Sequence, residues 1–565
     1  MRVRTLGLVV MMAVAAPALA RPAGSLGDPF VIDTLPFGAR GDTSASPHHD
    51  ATSYSCAAAT SEAGPEYAWR LTVAQPGRVV AWVVGDTATV DVDVHLLTAN
   101  GSGAGDPAAC LARGNTALEH DVDAGTYVVV VDTYQGDAQA GPFQLFVDVS
   151  VMDEWRERTV ARGVTWRSKR YASYAGGAQT ANVLQVDLAA PGLRVEAVAS
   201  VGCERTSDIR ARVGAVAAVN GGYFDGSCAS VSLLKANGAL VATNARDRSA
   251  LGFPAAGGAP AIQLVAAGVD WPDRSHAIGG GPRLVSGGVA DVRDVEEQCT
   301  AIAGKNPRTV AGLTAAGALL FATIDGRTTA GAGMTLAELA TWMTYLGVAE
   351  GMNFDGGGSS TLVVARQPWD GVVNYPSDNG TADHLGERGV GSAWAVFADP
   401  LNHPPRWTTA PDVAAAVGVP WRYEAAAVDE DADALGYALA SGPADMTVDP
   451  TTGDVEWTPA ADARAAAAVR LTVSDGTDTV VQDFVLLVAG GVPDDGGVVG
   501  DGGVVGDGGV PGDGNAPGDG PAVQDGPGGG ADGGGCGCTA ARGRAGALAL
   551  AVIVALAGAR RRPRR

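Results

Sequence analysis

Positive charge is scarce in this chain. Its 565 residues hold 39 Lys+Arg against 62 Asp+Glu, a net charge of −23. Two end segments, 1–20 and 539–565, contain nine of the arginines and no Lys, Asp or Glu, so the body carries 30 − 62 = −32. A body that acidic repels nucleic-acid phosphate and argues against a DNA or RNA partner. Histidine and cysteine are sparse as well, seven of each, and neither H-E-x-x-H nor C-x-x-C occurs. Those gaps leave the usual zinc arrangements without their ligands. Long apolar runs are missing too. The run at 545–559 has 15 residues, about 22 Å as a helix against a hydrocarbon core of roughly 30 Å.

What is present gives an address. Residues 1–20 combine a basic start, an apolar stretch and Ala18-Leu19-Ala20, the pattern of a secretory signal peptide. No Cys follows the cleavage site, so a lipoprotein is not indicated. Five arginines fill the last six positions, a flank that the positive-inside rule keeps in the cytoplasm. Export permits disulfides. Proximity within one domain favours Cys56 with Cys110 and Cys203 with Cys228, leaving Cys299 odd; connectivity itself is not fixed by sequence.

Hydrophobic residues at 46% allow packed cores, and the length suits about three domains plus tails. The expected fold is multidomain. A central α+β domain (an α/β mixed sheet) at 155–400 is flanked by two all-β sandwiches. A disordered Gly/Asp stalk and a short C-terminal membrane segment follow. Residues 21–50 read as a polar linker. Over 51–150, short β-rich runs at 68–73, 78–84, 90–97, 125–132 and 143–149 alternate with Gly/Pro/Asp turns, the spacing of an antiparallel sandwich. Residues 402–489 show the same rhythm. Residues 490–535 are Gly/Asp/Pro/Val repeats that cannot bury enough apolar surface to fold, and they read as a stalk. In the central domain the runs at 215–219, 318–324, 351–354 and 393–397 are apolar on both faces, so helices are expected to cover the sheet. One helix is well marked. Thr335 and Glu338 form a capping box, Leu336, Leu339, Ala340, Met343 and Leu346 recur at helical spacing, and Gly347 closes it.

The chemistry concentrates where strands end. Asn353-Phe354-Asp355-Gly356-Gly357-Gly358-Ser359 follows a strand, and ligands in such sheets bind beyond the strand ends. Its glycines allow close backbone approach and an anion-binding nest, and Asp355 adds a carboxylate. It is neither a Walker loop, since no Gly-Lys-Ser/Thr follows, nor a G-x-S-x-G elbow. Comparable loops carry Asn220, Gly221 and Asp225; Gly280; Arg308 and Thr309; Asp325; Asp378; and Glu387 with Arg388.

Four stretches resemble known families. "AVNGGYFD", "NPRTVAG", "GALLFATIDGR", "GMTLAELATWMTYLGVAEGMNFDGGGSSTLVV", "NYPSD" and "ERGVGSAWAVF" follow one another within about 160–400. In this order they resemble the phosphodiester glycosidase family, that of the mannose-6-phosphate uncovering enzyme. Phe354, where a Leu is usual, and "GVGSAWAV" depart from its pattern. The resemblance implies hydrolysis of a sugar-1-phosphodiester bond. A negatively charged substrate calls for cations, with Arg308 and Arg388 the candidates. Cleaving the glycosidic C–O bond calls for carboxylates. Asp355 comes first, with Asp225, Asp325 or Glu387 as its partner. Asn220, Gly221, Gly280, Thr309, Gly356, Gly357, Ser359 and Asp378 would line the sugar and phosphate. No cofactor is demanded, although clustered Asp and phosphate suit Ca²⁺ or Mg²⁺. The "LEHDVDAGTYVVVV" stretch resembles the pre-peptidase C-terminal sandwich. "AVDEDADALGYAL", "MTVDPTTGDVEWTP" and "VRLTVSDG" resemble immunoglobulin- or cadherin-like repeats, in which Asp429, Asp431, Asp433 and Asp475 could bind Ca²⁺ or simply form turns. Cys536-Gly-Cys538, the short apolar run and the arginine tail resemble the sorting tail of myxobacterial surface proteins. That implies a cell-surface sorting protease as partner, membrane contact through the tail, and a protein exported to the surface or released after processing.

Three functions compete at this stage. The first is a surface-attached hydrolase acting on a phosphate-linked glycan or exopolysaccharide. The second is a non-catalytic adhesin that only binds such a glycan. The third is a peptidoglycan or teichoic-acid hydrolase on the same fold.

Overall fold

The structure, a computed structural model, describes residues 23–85, 89–255 and 258–493. The signal segment 1–20, almost all of the stalk, Cys536, Cys538 and the apolar run 545–559 lie outside the described residues. No described helix is long and apolar enough to cross a membrane.

The N-terminal unit is a sandwich of two sheets, one of five strands and one of four. It begins earlier than the sequence suggests. Phe30–Ile32 pairs in parallel with Glu66–Val73, and Phe37–Asp42 pairs with Pro142–Val151, so the 21–50 segment contributes a strand to each sheet. Phe30, Ile32 and Phe37 join the apolar core of this sandwich. A linker reading missed them because both strands are short and lie among polar residues. Cys56–Cys110 is closed in this unit. The C-terminal unit pairs a four-stranded sheet with a three-stranded one around Trp421, Tyr423 and Trp457.

The central unit is richer in strands than expected. Its main sheet has eight strands, with four- and five-stranded sheets beside it. The described residues hold only two α-helices, Thr206–Val213 and Leu336–Tyr345. Pleat alternation explains the doubly apolar strands. Along Gly177–Val186, Leu184 and Val186 point into a core shared with the two smaller sheets. Ala181 and Val183 point into a second core made with Leu336, Leu339, Ala340, Trp342 and Met343 of the helix. Helices were expected on both faces; one face is covered instead by sheet. The capping box forms as read, with the Thr335 hydroxyl accepting from Glu338 N and the Glu338 carboxylate accepting from Thr335 N. The helix links Leu319–Ile324 to Val348–Asn353, and Arg308–Thr314 lies between these strands, antiparallel to both. Cys203–Cys228 is closed here, and Cys299 is buried and unbridged.

Candidate functional site

The strand Val348–Asn353 delivers the glycine-rich loop to one end of the main sheet, and its neighbours fix the loop's backbone. Phe354 N donates to Thr309 O (2.8 Å) and Asp355 N to Gly221 O (3.1 Å). The fully buried Asn220 donates from Nδ2 to Asp355 O (2.7 Å). Its Oδ1 accepts from Thr309 Oγ1 (2.8 Å) and Thr361 N (3.1 Å). Asn220, Gly221 and Thr309 therefore hold Asp355 in position.

The glycine triplet is bare because other groups occupy the space of its side chains. A Cβ on Gly356 would meet Pro307 O at 2.7 Å. Gly357, at φ +62°, has the Arg327 guanidinium about 3 Å from where a Cβ would stand. On Gly358 a Cβ would fall 2.4 Å from Asp378 Oδ1 and 2.6 Å from Arg388 Nη2. Two cations thus rest on the loop that carries Asp355. Arg388 donates from Nε to Asp378 Oδ1 (2.9 Å), and Arg327 from Nη2 to Asn306 Oδ1 (2.7 Å). Burial lifts the Asp355 carboxyl to about 6; the Ser359 hydroxyl, Arg388, the Gly356 N–H and Arg327 pull it partly back. The Ser359 hydroxyl does this without a fully formed hydrogen bond. It is buried with no partner, as are those of Ser360 and Thr361 on the same loop and of Ser392 beside Gly221. Buried hydroxyls of this kind normally find partners.

The other sequence candidates go elsewhere. Arg308 is a correction. Its buried guanidinium donates from Nε to Met334 O (2.8 Å) and from Nη2 to Ile302 O (2.8 Å) and Gly304 O. Arg308 pairs with Ile324 across the strands, and Ile324 belongs to the helix-side core, so the side chain points away from Asp355. Thr309, one residue on, faces the site. Asp225 is exposed and closes its own turn, accepting from Ser227 N (2.9 Å) and Ala229 N (3.0 Å). Glu387 accepts from Ser207 N (3.1 Å), the second residue of Thr206–Val213, and so caps a helix. Asp325 is fully buried and raised to about 6 by burial; it accepts from Asn374 Nδ2 (2.9 Å) and Tyr375 N (3.0 Å). Asn374 in turn donates to Ser360 O (3.0 Å), so Asp325 braces the loop from behind. Gly280 lets the 278–282 segment lie against Asn353 O and the Phe354 ring. The cation missed from sequence is Arg327. It sits in the "DGR" run that ends Leu319–Ile324, and its left-handed φ of +65° turns it onto Gly357.

For a metal, Asp429, Asp431 and Asp433 bring carboxylate oxygens within 4.8 Å of one another, a hard-ligand set that suits Ca²⁺. Arg366 and His403 already hydrogen-bond Asp431, and Asp475 accepts from Asn402 Nδ2 (2.8 Å).

Comparison with known proteins gives a family match over part of the chain. No curated protein matches the chain. The catalytic domain of zebrafish N-acetylglucosamine-1-phosphodiester alpha-N-acetylglucosaminidase, solved auto-inhibited by its pro-peptide, is 18% identical, with a TM-score of 0.35 over 44% of this chain and 88% of its own. A hypothetical protein from Synechocystis is 12% identical, with a TM-score of 0.37 over 59% of this chain and 76% of its own. The pre-peptidase C-terminal domain of Bacillus anthracis collagenase is 16% identical, with a TM-score of 0.16 over 22% and 96%. Residues 213–397, which span the glycine-rich loop, match the family model described as phosphodiester glycosidase.

Proposed function

We propose that the protein is an exported phosphodiester glycosidase that hydrolyses a sugar-1-phosphodiester bond in a glycan. The observation that carries this reading is a half-buried carboxyl, Asp355, raised to about 6 on a glycine loop that also seats Arg327 and Arg388. The guanidinium groups suit the substrate's phosphate. Above pH 6 Asp355 is ionised and accepts a proton from water as that water attacks C1. The new bond is C1 to the water oxygen; the bond that breaks is C1 to the phosphate oxygen, and its electron pair leaves with the phosphomonoester. Such a leaving group is weakly basic and needs no general acid, so one carboxylate suffices where glycosidases commonly use two. Asp225 and Glu387 are engaged elsewhere, and Asp325 braces the loop from behind through Oδ1. Two closed disulfides support export. Attachment to the cell surface through the tail and its sorting protease belongs to the same reading.

The test is hydrolysis of an N-acetylglucosamine-1-phosphodiester by the full chain and by Asp355→Asn. The parent releases sugar and phosphomonoester, and the variant loses at least a hundredfold in kcat. Full activity in the variant would refute the assignment. Binding without release by the parent favours the adhesin, and activity confined to cell-wall substrates favours the third reading.

A further inference from the structure

We propose that the cavity between the N-terminal sandwich and the central unit is a second sugar subsite, holding a pyranose ring of the chain that continues from the scissile linkage. It rests on the glycosidase reading above and names the substrate as a polymer.

The cavity measures about 70 Å³, against the roughly 10–15 Å³ that one water needs. Trp82 and Glu119 line it from the sandwich; Trp166, Asn182, Trp369 and His384 line it from the central unit. The two sides are bolted together at its rim. Tyr375 donates its hydroxyl to Glu119 Oε2 (2.8 Å) and accepts from Arg78 Nη1 (2.8 Å).

Two features point to a ligand. First, Asn182 is 1% exposed; its Oδ1 accepts from Trp166 Nε1 (3.1 Å), while its Nδ2 has no partner. A buried donor left unmade is costly, and Asn182 is one of the residues that line the cavity. Second, Trp369 and Asp370 take φ of +54° and +59°, consecutive left-handed conformations for residues that are not glycine. Such strain collects at ligand clamps. It holds the half-buried Trp369 ring flat on His384, with centroids 4.0 Å apart and planes 13° from parallel. A flat aromatic face beside an unmet donor and a carboxylate suits a sugar ring, which has an apolar face and hydroxyl edges. A hydrocarbon would leave Asn182 unsatisfied.

The cavity's Asn182 belongs to the same sheet that delivers Asp355. Asn182 pairs across strands with Thr323, Thr323 pairs with Thr309, and Thr309 hydrogen-bonds Asn220, which anchors Asp355. Two strand spacings, about 10 Å, separate Asn182 from Thr309. A glycan bound at the glycine loop can extend into the cavity, and its remote binding can be used at the reacting centre.

The test uses the full chain, with Trp369→Ala, Trp369→Phe and Ser168→Trp, the last filling the cavity from a wall strand. Intrinsic tryptophan fluorescence follows binding of an N-acetylglucosamine tetramer that carries no phosphodiester. Hydrolysis is compared for phosphodiesters bearing one or four sugars on the C1 side. The parent binds the tetramer and prefers the longer substrate. Trp369→Ala and Ser168→Trp each weaken tetramer binding roughly tenfold, the scale of one aromatic contact, and lower the four-to-one ratio of kcat/KM similarly. Trp369→Phe restores most of both. Asp355→Asn still binds the tetramer, so the subsite stands even if no phosphodiester is cleaved. No tetramer binding by the parent, or binding and ratio both unchanged in the two variants, overturns the proposal.

Discussion

Replacing Asp355 with asparagine keeps the shape of the side chain and removes its charge. In the folded chain the carboxyl sits at about 6, against 3.8 for an exposed aspartate. Below pH 3.8 it is neutral whether folded or unfolded, and its burial costs little. Between 3.8 and about 6 the unfolded chain ionises first, so stability falls as pH rises. Above 6 the full penalty is present. Raising the carboxyl from 3.8 to about 6 corresponds to an upper bound of about 3 kcal/mol. Asparagine weakens the contacts with Ser359 and the Gly356 N–H, a loss of about 1 kcal/mol. The variant should therefore be more stable than the parent by about 1–2 kcal/mol at pH 8 and slightly less stable at pH 4. At about 2–4 °C per kcal/mol for a unit of this size, calorimetry should read a rise in Tm of roughly 2–8 °C at pH 8 and none at pH 4. Equal destabilisation at both pH values would refute the reasoning, because it would mean that the ionised carboxylate is a structural keystone.

Other consequences follow from the same geometry. Arg388→Met removes a cation that holds the Asp355 carboxyl down, so the rising limb of the kcat/KM–pH profile should move to higher pH and KM should increase. Gly358→Ala drives a methyl into the Asp378–Arg388 pair; activity should fall at least tenfold, with about 1–3 kcal/mol lost in urea unfolding. Arg308→Met leaves the buried Met334 carbonyl and two part-buried ones without their donor; it should cost about 1–3 kcal/mol while KM for the phosphodiester stays near that of the parent. Replacing Cys203 and Cys228 by serine opens a 25-residue loop and should cost about 3 kcal/mol in thermal unfolding.

Local patterns were the most legible part of the chain. The capping box, the strand–helix–strand run and the strand-end position of Asp355 can all be read from short-range chemistry. Both disulfides matched the pairs that proximity favoured. Partnerships made at long range were not legible. Apolar strands do not say whether a helix or another sheet will cover them. Arg308 and Thr309 look equivalent in sequence, yet the pleat sends one to the helix-side core and the other to the site. Val310, packed with the helix, carries the signal two residues from Arg308. Arg327 was hidden for a related reason: only its left-handed backbone turns it onto Gly357. The acidic candidates Asp225 and Glu387 satisfied the right residue type, but a turn and a helix end claimed them first.

The account stands on which bond breaks. Hydrolysis of an N-acetylglucosamine-1-phosphodiester in ¹⁸O-labelled water, with mass analysis of both products, reads this directly. Attack at C1 puts the label on the anomeric oxygen of the sugar and leaves the phosphomonoester unlabelled. Label in the phosphate would mean attack at phosphorus, and the glycosidase chemistry assigned to Asp355 would be wrong.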